Sequence, residues 1–245
     1  MTERVYGIHA VEALLRADVE RIERLLVQAE RDDHRIETLL ELAKAAQVPV
    51  EVCPRRQLDR LTHNGRHQGV VAETAQAELG SETELDLRLS SLPQPPLLLA
   101  LDGVMDPRNL GACLRSAEAA GVGAVLLPKR RSAPLSEVAR KAASGAAEAL
   151  FIVQVVNLVR ALERLKAAGL WIVGAAGDAD MSWSGADLRR PMVLVLGGEG
   201  KGLRELTRKT CDQLVSIPMH GAVSSLNVSV ATGILLFEAV RQRRS

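Results

Sequence analysis

The pattern of apolar and polar positions divides the chain into two regions. From residue 97 onward, short apolar runs alternate with amphipathic segments, beginning with L-L-L-A-L at Leu97–Leu101. Such a run is typical of a strand buried on both faces, and alternating strands and helices predict a parallel sheet covered on both sides. The further predicted strands are Ala124–Leu127, Phe151–Val155, Leu170–Ala175, Met192–Leu196 and Gln213–Ile217. The predicted helices are Leu110–Ala120, Leu135–Ala142, Leu158–Ala168, Leu203–Thr210 and Ser225–Arg243.

The pattern of residues 1–75 predicts a smaller α/β domain. Its predicted elements are the helices Ile8–Leu15 and Arg35–Ala46 and the strands Arg24–Gln28, Val48–Val52 and Gly69–Ala72. Residues 76–96 are acidic and rich in proline at their end, which predicts an interdomain linker with a short helical turn near Leu85–Leu92. We therefore expect an α/β protein with domains at 1–75 and 97–245 and a linker at 76–96.

The composition disfavours several classes of protein. The 245 residues contain no apolar run long enough to span a membrane, and Met1–Ala10 is not a basic region followed by an apolar one. We therefore expect a cytoplasmic protein without a membrane partner. The three cysteines lie far apart and form no cluster with histidine, so the sequence predicts neither a disulfide framework nor a metal site.

Charge is distributed unevenly along the chain. The net charge is −2 over residues 1–75, −3 over 76–96 and +6 over 97–245, which favours polyanion binding by the last region. With 2% aromatic residues, phosphates and shape would dominate any recognition of RNA. A basic cluster in the first domain predicts an RNA-contacting loop, although a solvated helix face followed by a turn explains it equally well. Its members are Arg55, Arg56, Arg60, Arg66 and His67.

Three loops follow predicted strands, at the edge where parallel sheets bind ligands. The first, D-G-V-M-D-P-R-N-L-G-A-C-L-R-S-A, spans residues 102–117. Its Asn109 suits a helix cap. Arg115 follows among apolar helix positions, where an anion such as phosphate would balance its guanidinium, with a surface salt bridge as the alternative.

The second loop, V-L-V-L-G-G-E-G-K-G-L at Val193–Leu203, is rich in glycine and contains Glu199. Glycine permits positive φ and close approach of the backbone to a ligand. The spacing disfavours a P-loop, because Gly202 follows Lys201. It also disfavours the dinucleotide-binding pattern, because Leu203 occupies the position of the third glycine.

The third stretch, Ile217–Ala239, passes through Pro218 and Gly221 into a long apolar helix predicted to begin at the Ser224-Ser225 pair. One serine would cap that helix. The additional polar residues Asn227 and Ser229 exceed what capping requires. We expect this polar cluster to be buried, and a polar ligand is a candidate partner for it.

Together the three stretches resemble the signature motifs of the TrmH family, in the SPOUT clan of methyltransferases. The matching residues are D-P-R-N-L-G-A-C-L-R-S-A, L-G-G-E-G-K-G-L and I-P-M-H-G-A-V-S-S-L-N-V-S-V-A-T-G-I-L-L-F-E-A-V. Y-G-I-H-A-V (Tyr6–Val11) and H-Q-G (His67–Gly69) extend the match through the first domain. Within the family, the chain is most similar to members that methylate a guanosine 2′-hydroxyl in the peptidyl-transferase loop of 23S rRNA.

The resemblance implies a C-terminal domain with a deep trefoil knot, a homodimer that packs the knotted regions together, and a ribosomal-protein-like RNA-binding first domain. It implies S-adenosylmethionine as cofactor, held by Gly197, Gly198, Ile217, Met219, Ser225 and Leu226. It implies catalytic roles for Asn109, Arg115, Glu199, Ser224 and Asn227. The implied substrate is 23S rRNA or a large-subunit precursor.

Methyl transfer to a ribose requires that the 2′-oxygen be positioned and its proton removed. A guanidinium is a poor base because it keeps its proton far above neutral pH, so we expect Arg115 to bind phosphate and stabilise the developing alkoxide. Glu199 is an alternative base, or a residue that holds Arg115 and Asn109. The alternative functions are a tRNA ribose 2′-O-methyltransferase of the same clan and a non-catalytic rRNA-binding assembly factor.

Overall fold

The apolar strands predicted from the sequence form two separate sheets. The structure is a computed structural model that describes residues 2–29, 34–75 and 79–244. The chain divides into a first unit, Met1–Glu78 with Ser144–Ala149, and a second unit, Leu79–Ala143 with Leu150–Ser245.

The first unit is built on a mixed four-stranded sheet. Its strands are β1 (Thr2–Tyr6), β2 (Ile22–Gln28), β3 (Val50–Cys53) and β4 (Val70–Ala75), in the order β1-β4-β2-β3. β4 is antiparallel to both of its neighbours, and β2 is parallel to β3. The helices are α1 (Ile8–Ala17), α2 (His34–Ala45) and α3 (Arg55–Leu61). α1 and α2 pack on one face of the sheet and α3 on the other. The sequence did not predict β1.

The second unit contains six strands, all paired in parallel. They are β5 (Leu97–Asp102), β6 (Ala124–Pro128), β7 (Ile152–Val155), β8 (Trp171–Ala175), β9 (Met192–Gly197) and β10 (Gln213–Val215). Their order is β10-β8-β9-β5-β6-β7, so β5 lies between β9 and β6 in the centre. Every residue of β5 is buried. The predicted parallel α/β sheet is therefore confirmed.

Helices cover this sheet. They are α4 (Glu82–Arg88), α5 (Pro107–Ala119), α6 (Glu137–Ala143), α8 (Leu158–Ala167), α9 (Glu205–Thr210) and α10 (Val228–Arg244); α7 (Ala146–Ala149) belongs to the first unit. Leu98, Ala100, Val193 and Val195 pack with α8 on one face. Because side chains alternate along a strand, Leu99 points to the opposite face.

α10 begins at Val228, so the predicted start at Ser225 is wrong. Asn227 caps this helix, because its Oδ1 accepts hydrogen bonds from the backbone N–H of Ser229 (2.9 Å) and from its hydroxyl (2.6 Å). Residues 221–227 are exposed, so the expectation of a buried polar cluster at the helix entrance is also wrong. The helix is capped by the amide of Asn227, three positions beyond Ser224. The spacing of apolar residues predicts that a helix is present but does not identify the residue that caps it.

The preceding strand is also shorter than predicted. β10 ends at Val215, and Ser216 bonds instead with the segment after β8, where its N–H donates to the carbonyl of Met181 (2.8 Å). Ile217 therefore lies in the loop and not in the sheet.

Residues 79–96 of the acidic segment belong to the second unit, and residues 76–78 lie outside the described residues. Ser81 and Glu84 form a capping box at the start of α4, and Leu85 is buried in the core beside α8. Arg164 of α8 pairs with Glu82 and Asp86. The short helix predicted near Leu85–Leu92 is present at Glu82–Arg88, with a 3₁₀ turn at Leu89–Ser91.

A ladder of alternating charges crosses the sheet of the first unit. Glu73 of β4 accepts hydrogen bonds from Arg24 (2.8 Å) and Arg4 (3.4 Å), and Arg24 also pairs with Glu51 (2.8 Å). Burial raises the pKa of Glu73, but the hydrogen bonds and charges of the two arginines outweigh it, so the pKa is lowered overall. The Glu73 side chain is 9% exposed and is the carboxylate that both guanidinium groups share, so its neutralisation weakens two ion pairs at a nearly buried position.

We predict that Glu73→Gln lowers the free energy of unfolding by about 2 kcal/mol at pH 7. Because the folded-state pKa is lowered, this contribution is present above the unfolded-state pKa of about 4.3 and is lost as pH falls through the folded-state value. Urea unfolding at pH 7 and below pH 4 measures the difference. Glu12→Gln, which breaks an exposed pair with Arg16, is the control and should change stability by under about 0.5 kcal/mol. Equal effects of the two variants would contradict the prediction.

Candidate active site

The polar residues of the first two motifs meet at one edge of the second sheet. β5 and β9 are parallel neighbours, with Asp102 opposite Gly197 at their carboxyl ends. The loops that follow both strands therefore begin side by side. The backbone N–H of Gly198 donates to the carbonyl oxygen of Asp102 (2.9 Å), which ties the two loops together at their start.

Glu199 joins the first motif to the second. One carboxylate oxygen accepts from the side-chain amide of Asn109 (2.7 Å), and the other accepts from the backbone N–H of Met105 (3.2 Å). Partial burial raises the pKa of Glu199, but the hydrogen bonds from Asn109 and from backbone N–H groups lower it by more, so the pKa is depressed. Glu199 is therefore held as a carboxylate.

Asn227 adds the third motif to the same cluster. Its amide nitrogen donates to Oδ1 of Asn109 (3.0 Å), while its own Oδ1 caps α10. Asn109 therefore donates to Glu199 and accepts from Asn227. These bonds join residues up to 118 positions apart. The predicted catalytic residues Asn109, Glu199 and Asn227 are brought together.

Asn109 is available for this network because another residue caps α5. The helix begins at Pro107, and the side chain of Asp106 accepts from the N–H of Arg108 (2.7 Å). The interpretation of Asn109 as a helix cap is therefore wrong. Proline suits the first helical position because its missing N–H would have no partner there.

Arg115 lies on α5, exposed, and six residues beyond Asn109 places it about 120° around the helix. Its neighbour Cys113 contacts α10, with Sγ 3.3 Å from the hydroxyl of Thr232. Burial raises the pKa of Cys113 to about 11, so it remains a thiol. Cys113 therefore contributes packing between α5 and α10, and Arg115 extends from a different face of α5 than Asn109.

The glycine loop has little room for side chains. A Cβ at Gly197 would lie 1.9 Å from the carbonyl carbon of Gly202, and Gly202 donates back to the carbonyl oxygen of Gly198 (3.2 Å). Gly200 and Gly202 have φ of +80° and +63°. The loop therefore folds back on itself and presents backbone groups, as the glycine spacing predicted.

Two residues of this edge were not predicted. Asp102 is buried, and one of its carboxylate oxygens accepts from the N–H of Arg204 (2.9 Å). Its other oxygen lies 3.3 Å from Nε of Arg204 without hydrogen-bond alignment. This pair fixes the end of the glycine loop against β5. An aspartate that ends a wholly apolar strand was the available signal in the sequence.

The third-motif loop contains the remaining predicted residues. Ile217 and Met219 are partly buried, whereas Ser224, Ser225 and Leu226 are exposed. Within the described residues, the side chains of Ser224 and Ser225 form no hydrogen bond. The structure therefore does not connect the two serines to the Asn109–Glu199–Asn227 cluster.

The first unit has a cleft at its predicted RNA-binding residues. It has a volume of about 170 Å³ and is lined by Gln28, Arg55, Gly65, Arg66, His67, Gln68 and Gly69. Arg55, Arg56, Arg60 and Arg66 are exposed. His67 is buried, with Nε2 2.9 Å from Asp59 and Nδ1 accepting from the N–H of Gly69 (3.0 Å), so it positions the loop.

Gln68 connects this cleft to α1, a contact that the sequence analysis did not identify. Its side-chain oxygen accepts from the N–H of Ile8 (3.2 Å), which joins the H-Q-G and Y-G-I-H-A-V segments. His63, Asn64 and Gln68 all have positive φ. Several non-glycine residues in this conformation store strain in one short loop, a common feature of binding sites.

No helix among the described residues is long and apolar enough to cross a membrane. The same residues contain no group of three or more side chains suited to hold a metal ion.

A parallel α/β domain with a polar, glycine-walled site at its strand ends is the architecture of a ligand-binding enzyme. Residues 96–237 match the SpoU rRNA Methylase family, and residues 4–80 match the family described as RNA 2′-O ribose methyltransferase substrate binding. The chain belongs to the SpoU rRNA Methylase family. The family resemblance drawn from the three motifs is confirmed.

Individual proteins agree with this assignment. The 23S rRNA (guanosine-2′-O-)-methyltransferase RlmB of Pseudomonas aeruginosa is 54% identical over 241 residues, which cover 98% of this chain and 97% of that protein. The AdoMet-bound rRNA methyltransferase from Sinorhizobium meliloti has a TM-score of 0.76 at 27% identity, covering 98% of this chain and 87% of the other. AviRb from Streptomyces viridochromogenes, solved with AdoMet, has a TM-score of 0.79 at 24% identity, covering 99% and 91%, and shows the same fold.

We predict that Gly197→Ala destabilises the second unit by about 2 kcal/mol, because the new methyl group overlaps the backbone of Gly202. Thermal unfolding measures the change. Gly177→Ala is the matched control, because a Cβ there meets nothing within 4 Å and φ is not positive. If both variants unfold at the wild-type temperature, the loop has more room than the structure shows.

Proposed function

We propose that this protein transfers a methyl group from S-adenosylmethionine to the ribose 2′-hydroxyl of a guanosine in the peptidyl-transferase loop of 23S rRNA. The observation that carries the proposal is the Asn109–Glu199–Asn227 cluster, which unites all three family motifs. The identity of about half to RlmB proteins, over nearly the full length of both chains, supports the substrate. Several of these relatives are named as 23S rRNA guanosine methyltransferases.

The residues at the strand ends suit S-adenosylmethionine. Gly197 and Gly198 offer backbone groups without side chains, and Ile217, Met219 and Leu226 offer apolar surface for an adenine ring. Ser225 adds a hydroxyl. When bound, the cofactor supplies an electrophilic methyl group on a sulfonium. The donor set contains no cluster that would require a metal.

The protein must then hold the ribose and manage its proton. Glu199 has both oxygens engaged and a lowered pKa, so it is a weak base and serves as a positioning residue for Asn109. The guanidinium of Arg115 stabilises negative charge that develops on the 2′-oxygen or on a neighbouring phosphate. Asn109, Ser224 and Asn227 provide hydrogen bonds that orient the ribose.

The first unit supplies RNA contacts. Its exposed Arg55, Arg56, Arg60 and Arg66 suit phosphate oxygens, and the cleft between Arg55 and Arg66 has room for a single nucleotide group. His67 is buried at the cleft and stabilises its shape through hydrogen bonds with Asp59 and with the backbone N–H of Gly69. The match of residues 4–80 to a substrate-binding family supports this role. We assign residues 1–75 to RNA binding, 76–96 to the connection and 97–245 to catalysis, in the cytoplasm.

A knotted homodimer completes the proposal. The chain passes from β9 to β10 at the edge of the sheet, and α10 then packs against α5, which follows the central strand β5; this return toward the centre supports the proposed knot. Val230 and Phe237 lie seven residues apart on α10 and are about half exposed, and Val223 and Leu226 extend this apolar surface. A second copy of the chain would cover it.

The test of the activity is methylation of a 23S rRNA fragment that contains the peptidyl-transferase loop, with purified protein and labelled S-adenosylmethionine. We predict that the wild-type protein adds one 2′-O-methyl group to a guanosine of that loop. Arg115→Ala should lower the single-turnover rate at least about 100-fold while cofactor affinity stays within about threefold. Arg189→Ala, at an exposed position before β9 and away from the carboxyl ends of the strands, is the control. Near-normal turnover of Arg115→Ala would show the assignment to be wrong.

Glu199→Gln separates positioning from base catalysis in the same assay. Glutamine keeps one oxygen that can accept from Asn109, so a positioning role predicts a rate within about tenfold of wild type and an unchanged pH profile. Glu199→Ala, which removes the acceptor, should be far slower. A loss of about 100-fold or more in Glu199→Gln, together with a changed pH profile, would instead identify Glu199 as the base.

We predict that Phe237→Glu converts the dimer to a monomer, because it places a charge in an apolar contact. Sedimentation equilibrium measures the mass. Leu87→Glu, at an exposed apolar position of α4, is the control and should leave the dimer intact. A wild-type protein that sediments as a monomer would contradict the proposed assembly.

A further inference from the structure

Three consecutive cations follow β6 at the same sheet edge as the candidate active site. β6 ends at Pro128, and Lys129, Arg130 and Arg131 are all exposed. Because β6 is the parallel neighbour of β5, this basic loop (residues 129–131) begins beside the loop that leads to Asn109. The N–H of Ala133 donates to the carbonyl oxygen of Val104 (2.8 Å), which fixes the two loops together.

The backbone of the basic loop is also bonded to the residue that ends the glycine loop. The carbonyl oxygen of Arg131 accepts from Nη2 of Arg204 (3.2 Å), and Arg204 in turn is held by buried Asp102. Arg131 has φ of +58°, a conformation that glycine adopts without strain and an arginine does not. The loop is therefore held in a fixed, strained shape against both motif loops.

The charged ends of the three side chains have no partner among the residues that the structure describes. Across residues 2–29, 34–75 and 79–244, Lys129, Arg130 and Arg131 form no side-chain hydrogen bond or ion pair. Several other cations of the second unit are paired, including Arg164 with Glu82 and Arg208 with Asp178. Three like charges on adjacent residues repel each other, and an anion placed between them relieves that repulsion.

We propose that the basic loop binds phosphodiester groups of the RNA strand next to the methylated nucleotide. This inference rests on the proposed function and adds a second positioning element on the catalytic unit. Lysine and arginine at a strand end are suited to phosphate oxygens, which fix the register of a nucleic acid without reading its sequence. The loop would thus set which ribose reaches Asn109, while cofactor binding does not involve it.

The test uses the full-length double variant Lys129→Gln/Arg130→Gln and a fluorescent 23S rRNA fragment that contains the peptidyl-transferase loop. Anisotropy titrations from 50 to 300 mM salt give the Kd and its salt dependence. Loss of two phosphate contacts should weaken binding at least about tenfold at low salt and reduce the slope of log Kd against log salt by about 1.5. The Kd for S-adenosylmethionine should stay within about twofold of wild type.

A second double variant, Arg189→Gln/Arg190→Gln, removes two adjacent charges from the same unit at the opposite edge of the sheet, just before β9 begins at Met192. Its RNA affinity and salt slope should match those of the wild type. Equal losses in the two variants would show a general effect of net charge and overturn the proposal. An unchanged salt slope in the basic-loop variant would also overturn the proposal. The proposal would fail as well if the basic-loop variant bound RNA normally but lost binding to polyglutamate, a result that would indicate an acidic protein partner.

Arg131→Gly removes one charge of the basic loop without adding backbone strain, so it tests RNA binding separately from folding. Glycine relieves the positive φ, so the variant should unfold no more readily than wild type, yet its RNA affinity should fall several-fold. Unchanged RNA affinity would count against the proposal. A wild-type protein that binds the fragment through this loop but adds no methyl group would refute the proposed activity alone, whereas one that binds no RNA would refute both.

Discussion

The carboxylate of Glu199 is the contact on which the site depends. It accepts hydrogen bonds from the side chain of Asn109 and from the backbone N–H of Met105. Asn109 in turn accepts a hydrogen bond from Asn227 at the start of α10. Glu199 can do this only because the glycine loop carries it across the end of β5. A carboxylate with both oxygens engaged keeps its charge and its position, which makes it more useful for holding polar groups than for removing a proton.

The glycine loop is in turn shaped by contacts that involve no ligand. Gly197 and Gly202 approach too closely to tolerate a Cβ, and the buried Asp102–Arg204 pair closes the loop against β5. The same arginine bonds to the backbone of Arg131. The glycine loop and the basic loop therefore share one support, and a change at Asp102 would disturb both.

The two units use charge differently. In the first unit, charges neutralise one another across the sheet, in the pairs formed by Arg4, Glu73, Arg24 and Glu51. The arginines around the cleft are exposed to solvent. In the second unit, arginines such as Arg164 and Arg241 pair with carboxylates, whereas the side chains of the basic loop form no ion pair within the part of the chain that the structure describes. Positive charge is thus concentrated where an RNA backbone would pass.

The sequence by itself determined the parallel sheet, because continuous apolar runs such as Leu97–Leu101 have few other stable arrangements. It also determined the family and the glycine loop, since only glycine permits the close approach of Gly197 to Gly202. It left Asn109 open between a catalytic role and a helix cap, which Asp106 provides, and it wrongly placed the start of α10 at Ser225, whereas Asn227 caps that helix. Caps depend on which of several polar side chains reaches a free N–H, and local patterns leave that choice open.

Only the tertiary structure decided that Glu199 binds Asn109, that Gln68 binds Ile8, and that Lys129–Arg131 borders the site. These partners are separated by 60 residues or more along the chain, or join loops whose proximity follows from strand order. Apolar periodicity specifies which residues are buried. It does not specify which strand lies beside which, and the side chains at the strand ends meet according to that order.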